Sequence, residues 1–252
     1  DEQVNLAVAI AVRLLNPSLA VIARGRTPSV TANMASFGTD HIINPFARFA
    51  EHLALAVAAP ERFRLIELLT ALPETPLPEP HRPPRGHWIL CGYGRFGHFL
   101  ADHLRPAGIE LTIIDPECNP EQLANSLNGH GTEAQTLRQA GIERSTGIIA
   151  GSDNDVNNLS IAVTAAELKP SLFVVARQNH NVNGPLFDAY GADFTMVPSR
   201  IVAQECIAIL TTPLLAAFLN LLRDRDEAWS SALAGRLQAL GSGLTPAVWG
   251  LK

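Results

Sequence analysis

Apolar residues fall into two rhythms along this chain. Short, mainly apolar blocks at 19–23, 40–43, 88–91, 109–114, 147–150, 172–176 and 194–197 have the length of strands. Between them the apolar positions return every three or four residues, the spacing of one helical face. That spacing predicts helices over 1–15, 31–37, 46–58 and 61–72, then 133–140, 153–168, 182–190 and 199–210. Helical pattern continues to Leu240 with a break at 223–226. A further helix is expected over 120–127, and a strand near 128–132 is hard to see in NGHGT. Strand and helix in alternation predict an α/β chain with a Rossmann-like, doubly wound parallel sheet.

The pattern also repeats. Residues 1–69 align with 154–222 without a gap, at a constant offset of 153. Asn5-Leu6 meets Asn158-Leu159, Pro17-Ser18-Leu19 meets Pro170-Ser171-Leu172, and Ala23-Arg24 meets Ala176-Arg177. Identity at 17 of the 69 positions, in one register, points to duplication. The first copy has no counterpart of residues 87–153. It reads as the back half of the fold, as if the chain began inside a domain. Four segments are expected: an incomplete repeat over 1–72, a proline-rich linker over 73–86, a complete nucleotide-binding domain over 87–198, and a helical crossover segment over 199–252. Alone, the first copy would expose sheet edge and apolar helix faces. It is expected to pack on a second copy or on the central domain through 46–72.

The complete copy opens on the one motif with chemistry in it. The strand at 88–91 runs straight into Gly92-Tyr93-Gly94-Arg95-Phe96-Gly97, a G-x-G-x-x-G. A helix follows with Phe96, Phe99, Leu100 and Leu104 on one face, then a second strand ending in Asp115, 18 residues beyond Gly97. Gly92 suits the tight turn, Gly94 the close approach of a pyrophosphate, and Gly97 close packing of helix on strand. The helix N-terminus offers N–H groups to phosphate, and a carboxylate at Asp115 can accept bonds from ribose hydroxyls. The same carboxylate would repel a 2′-phosphate, which disfavours NADP.

Composition narrows the alternatives. The net charge is −5 and no Lys/Arg cluster stands out, which argues against a nucleic-acid surface. Cys91, Cys118 and Cys206 show no C-x-x-C spacing and read as thiols of a reducing compartment. The longest uncharged run, 206–222, contains Pro213 and Asn220 and suits an interface helix better than a membrane span. His98, Asp102 and His103 lack further ligands at metal-binding spacing, so no metal site is expected.

In order and spacing, CGYGRFG, IIDPE, GTEAQTLRQAGIE, SDNDVNNL, VVARQNH and GADFTMVPSRIVAQ resemble the TrkA-type nucleotide-binding domain, also called RCK or KTN, over residues 88–210. The resemblance implies a cytosolic regulatory module of a potassium channel or transporter, not an enzyme. Its ligand would be NAD or NADH, or else ADP, ATP or AMP, held by Gly92, Gly94, Arg95, Phe96, Gly97 and Asp115, with Gln178 and Asn179 placed to sense it. Asp153 and Asn158 would flank a helix start near the phosphates, Asp153 serving equally well as a plain N-cap. His130 stands where the family often has a carboxylate, which makes a cation site doubtful. The implied partners are further copies of the chain and a membrane pore or transporter subunit, encoded separately or upstream in the same chain. The implied location is cytoplasmic, at an inner-membrane channel. A homodimer or larger assembly would bury Leu215, Phe218 and Leu222 between domains, against either the equivalent helix at 46–72 in the same chain or the same helix in a second chain. Two other functions fit the glycine motif: an NAD-dependent oxidoreductase, and a dimerisation domain with an empty site.

Overall fold

The computed structural model describes residues 2–71, 74–77, 82–222, 225–240 and 243–245. The proline-rich linker and the break at 223–226 therefore lie partly outside the described residues. The complete copy forms a six-stranded sheet from β3 (His87–Cys91), β4 (Glu110–Asp115), β5 (Ser126–Asn128), β6 (Gly147–Ala150), β7 (Phe173–Arg177) and β8 (Phe194–Met196). All pairs are parallel and the order is β5-β4-β3-β6-β7-β8. Strand order therefore reverses between β3 and β6, the switch point where doubly wound sheets open a crevice at their C-terminal ends.

β3 is buried at every residue because both its faces are covered. Its side chains alternate: Trp88 and Leu90 enter one apolar layer, Ile89 and Cys91 the other. The second layer is closed by α6 (Ala134–Gln139) and α7 (Asp155–Leu168), through Leu137, Ile161, Ala162 and Ala165. The first layer is closed by α5 (Arg95–Leu104) and by a helix of the first copy, α3 (Pro45–Ala58). Phe46, Ala50, Leu53 and Val57 of α3 are all buried there with Phe96, Leu100 and Leu104. The first copy thus docks on the central sheet through the beginning of the expected 46–72 stretch.

The duplication extends to single hydrogen bonds. The first copy runs α1 (Glu2–Leu15), β1 (Ile22–Arg24), α2 (Pro28–Ser36), β2 (His41–Ile43), α3 and α4 (Pro60–Thr70). β1 pairs with β2 in parallel, Ile22 opposite His41, and Val175 pairs with Phe194 at the same offset of 153. Asp40 accepts from the Val21 amide at 2.8 Å, and Asp193 from the Val174 amide at 2.7 Å. Asn5 donates to the Arg24 carbonyl at 3.1 Å, and Asn158 to the Arg177 carbonyl at 2.7 Å.

Four expectations need correction. There is no helix over 120–127: Asn119 caps a single turn through the Glu121 amide, and Asn125 has φ 57°, outside the helical range. The strand that NGHGT hid lies slightly earlier, at β5, whose extended backbone is held by pairing with Ile113–Asp115. β1 begins at Ile22 and not at 19, because Asn16 accepts bonds from Ser18 and turns the chain. The last concerns the assembly helices, α9 (Pro198–Thr211) and α10 (Pro213–Leu221), and the leucine that follows them. Leu215 and Leu222 are buried against Leu65, Leu68 and Leu69 of α4, in the 46–72 stretch of the same chain that was one of the two expected partners, with Ala234 of α11 (Glu227–Leu240) beside them, so the correction is to Phe218 alone. Phe218 remains 36% exposed. The small third core is tied by Glu227, which accepts from the Glu61 and Arg62 amides and so caps α4.

α4 also carries a group suited to a stability test. Burial raises the Glu67 carboxyl from 4.5 to about 7. Between those values the folded protein binds a proton that the unfolded chain has lost, so stability falls as pH rises through that window. Glu67→Gln removes the charged form. It is expected to stabilise the protein by about 1–3 kcal/mol above pH 7 and by almost nothing at pH 4. Urea unfolding at pH 4 and pH 8 checks this, and equal effects at both would contradict it.

Candidate functional site

The site is built where β3 ends at the switch point. Gly92 has φ +98° and donates its N–H to the Ile114 carbonyl at 2.9 Å. A side chain there would be strained, and would also press on the Gly151–Ser152 backbone at 3.0–3.2 Å. Gly97 sits in the first turn of α5, where a Cβ would fall 2.2 Å from the Gly92 carbonyl oxygen. Gly94 is different, with nothing within 4 Å of its missing Cβ. It is the N-cap of α5 and brings no side chain to bond there, so the first-turn N–H groups point outward. The three glycines therefore serve as turn, open cradle and packing contact.

Asp115 closes β4 beside this loop. Its carboxylate accepts from the Tyr93 amide at 2.6 Å and the Glu117 amide at 2.8 Å. Each oxygen keeps a second lone-pair direction for a ligand hydroxyl. Arg95 is exposed at the start of α5. Phe96 offers only its main chain, because its ring is buried 5.5 Å from that of Phe46. His98 folds back over the loop, stacked on Tyr93 at 4.0 Å.

Gln178 and Asn179 follow β7. Gln178 is buried, donates to the His180 carbonyl at 3.0 Å, and lines a cleft of about 430 Å³ with Asn181, Gly184, Asp188 and Arg200. No residue of the glycine loop lines that cleft. The Asn179 amide nitrogen is engaged by Asp155 and the Ser152 carbonyl. His130 is exposed. Asp153 is exposed as well and does not cap α7; Asn154 does, accepting from the Asn157 amide at 3.1 Å.

Two residues escaped the sequence reading. Asp155 is buried and accepts from the Asn179 and His180 amides and from the Asn179 and Asn183 side chains. Burial works to raise its pKa, but these bonds outweigh burial and hold it below the ordinary carboxylate range. The repeat contained the signal, since Glu2 at the matching position accepts from the Arg26 and Thr27 amides. The other residue is Arg177 at the end of β7, whose guanidinium lies 4.8 Å over Phe46 and 5.5 Å over Phe96. Its match with Arg24 marked it, but strand position alone did not aim it at the loop. Among the described residues no three His, Cys, Asp or Glu side chains gather to hold a metal, and no helix is long and apolar enough to cross a membrane.

The strand order, the switch point at Gly92 and the acid closing the second strand define a Rossmann-type α/β domain. Residues 88–198 match the TrkA-N domain family, and this part of the chain is a TrkA-type RCK domain. Potassium channel protein 1 of Methanocaldococcus jannaschii is 28% identical over 148 residues, 56% of this chain and 44% of that protein. Trk system potassium uptake protein TrkA homolog 2 of Methanosarcina mazei is 26% identical over 171 residues, 65% of this chain and 38% of that protein. The chain thus spans less than half the length of these curated relatives. Among solved structures, the GsuK channel bound to NAD has a TM-score of 0.65 at 18% identity, covering 83% of this chain and 50% of that one. The GsuK RCK domain has a TM-score of 0.61 at 20% identity, covering 87% and 62%. These two establish likeness of fold.

Proposed function

We propose that this chain is the cytosolic nucleotide-binding regulatory module of a potassium channel or transporter. The observation that carries the reading is the open cradle at Gly94 flanked by the pinned carboxylate of Asp115, in a TrkA-N domain whose relatives are potassium channel and Trk uptake proteins. The ligand is NAD or NADH, with ADP, ATP or AMP as alternatives. Its phosphates lie on Gly92, Gly94, Arg95, the Phe96 main chain and Gly97, and its adenosine ribose lies on Asp115. Gln178, Asn179 and the Asp155 network form the shoulder that responds to occupancy.

In this reading the ligand is sensed and not converted. Nucleotide binds one arrangement of the two repeat copies better than another, and the difference biases the pore. The domain limits that go with this reading are an incomplete copy over 1–72, a linker over 73–86, the complete copy over 87–198 and a helical segment over 199–252. The chain works as a homo-oligomer. The pore is a partner subunit or a further segment of the same protein.

Mass spectrometry of small molecules released from the purified protein identifies the nucleotide. Asp115→Ala is expected to weaken its binding by about 1.5–3 kcal/mol, the scale of hydrogen bonds to a charged group. Unchanged affinity by calorimetry would remove Asp115 from the ribose site. Sustained NADH oxidation with a carbonyl substrate would overturn the regulatory reading in favour of an oxidoreductase.

A further inference from the structure

The cleft beside Gln178 lies apart from the glycine loop, and its volume of about 430 Å³ is that of a small-ligand pocket. Gln178 forms its floor. The Gln178 main-chain N–H donates to the Met196 carbonyl at 2.9 Å, which holds the end of β7 beside the start of α9. Its side chain is 5% exposed and makes one hydrogen bond, from Nε2 to the His180 carbonyl. Among the described residues no group donates to its Oε1. Gly184 keeps the space over this amide clear: a Cβ there would stand 3.7 Å from Gln178 Nε2, with nothing else within 4 Å.

Three further groups line the cleft. Val197 caps α9 without a side-chain bond, and the Ser199 N–H has no partner among the described residues, so the helix start keeps an unsatisfied donor and a partial positive charge. Arg200 and Asp188 line the same cleft and are exposed. Neither forms an ion pair, with the other or with any further group, among the described residues.

The duplication shows that the fold does not require these side chains. At the offset of 153, Gln178, Asp188, Ser199 and Arg200 correspond to Gly25, Ala35, Phe46 and Ala47. The first copy builds the same succession of strand, helix, strand and helix without a carboxamide, a carboxylate or a guanidinium at those positions. The complete copy alone sets both signs of charge around a buried, incompletely bonded amide.

A ligand that answers all of these groups carries both charges itself. A simple anion would satisfy Arg200 and meet repulsion from Asp188, and a simple cation would do the reverse. An α-amino acid fits: its carboxylate meets Arg200 and the Ser199 N–H, its ammonium meets Asp188, and its side chain reaches the Gln178 amide. We propose that this cleft binds a free zwitterionic amino acid, at a site separate from the glycine loop.

Calorimetry of the full chain with glycine, alanine, glutamine and glutamate tests this. Glutamine is expected to bind most tightly, because its carboxamide can exchange hydrogen bonds with that of Gln178. Arg200→Gln and Asp188→Asn should each weaken glutamine about tenfold or more, and Arg200→Lys should recover most of the loss. N-acetylglutamine, which lacks the ammonium, should bind about tenfold more weakly than glutamine and lose nothing further in Asp188→Asn. Saturating ADP should leave the glutamine affinity within about twofold of its value without ADP, as expected of two sites. The proposal is overturned if none of the four amino acids binds at millimolar concentration, or if both charge variants bind glutamine as the wild type does. Displacement of glutamine by ADP would also overturn it, by placing the amino acid on the glycine loop. Protein that binds glutamine with these dependences but takes no adenine nucleotide would support this site while removing the nucleotide reading, so the two can fail separately.

Discussion

Gly97→Ala is expected to destabilise the protein by about 3 kcal/mol, the upper end of what forced overpacking costs, and to lose nucleotide binding with it. A single methyl group there would stand 2.2 Å from the Gly92 carbonyl oxygen, which is backbone and cannot rotate away. Relief requires α5 to move off β3, and Phe96, Leu100 and Leu104 of that helix are all buried in the first apolar layer. Gly94→Val should do the opposite. Its side chain enters open space, so stability should change by less than about 1 kcal/mol. The same open space is where the ligand's phosphates lie in the proposed function, so binding should weaken about a hundredfold, near 2.8 kcal/mol. Urea unfolding and calorimetry on the two variants separate a packing glycine from a ligand glycine. If Gly94→Val binds normally, the phosphates are elsewhere. If Gly97→Ala is as stable as the wild type, the backbone contact is not what confines the residue to glycine.

The second large effect concerns Phe46. This residue belongs to the first copy, yet it is 2% exposed in the core of the complete one, with its ring 5.5 Å from that of Phe96 and under Arg177. Phe46→Ala is expected to cost about 3–5 kcal/mol, the range for removing a buried aromatic ring. It also removes the ring that packs against Phe96 of the glycine loop, so nucleotide affinity should fall with stability. Phe218→Ala is the control: at 36% exposure it should cost less than about 1 kcal/mol. Denaturant unfolding of both variants reads the difference. Equal, small losses would mean that the first copy is only loosely seated on the central sheet.

Much of the site was legible because its signals are local. The strand before Gly92, the glycine spacing, the helix face of Phe96, Leu100 and Leu104, and the acid at the end of the next strand all lie within a 29-residue stretch, 87–115. Each depends on backbone sterics or on a period of two or 3.6, which neighbouring residues express by themselves. The duplication was legible for a related reason: one gapless offset carries equivalent strands, turns and capping residues, and the structure repeats even their hydrogen bonds.

What the sequence left open depended on partners far along the chain. β5 is three residues long and owes its extended form to β4, while Asn125 and Asn119 undo the helix that its apolar spacing suggested. The apolar stripe of α3 announced a buried face but left two covers open, and packing chose the sheet of the complete copy; Leu215 and Leu222 likewise had two possible partners and met α4 of the same chain, with α11 beside it. Phe46 and Arg177 stand 131 residues apart, and no periodicity relates them. Amphipathic spacing determines that a face is buried and which side chains it carries. Packing of whole layers decides what it meets, and only that packing brings the Phe46 ring under Arg177 and against Phe96 beside the glycine loop.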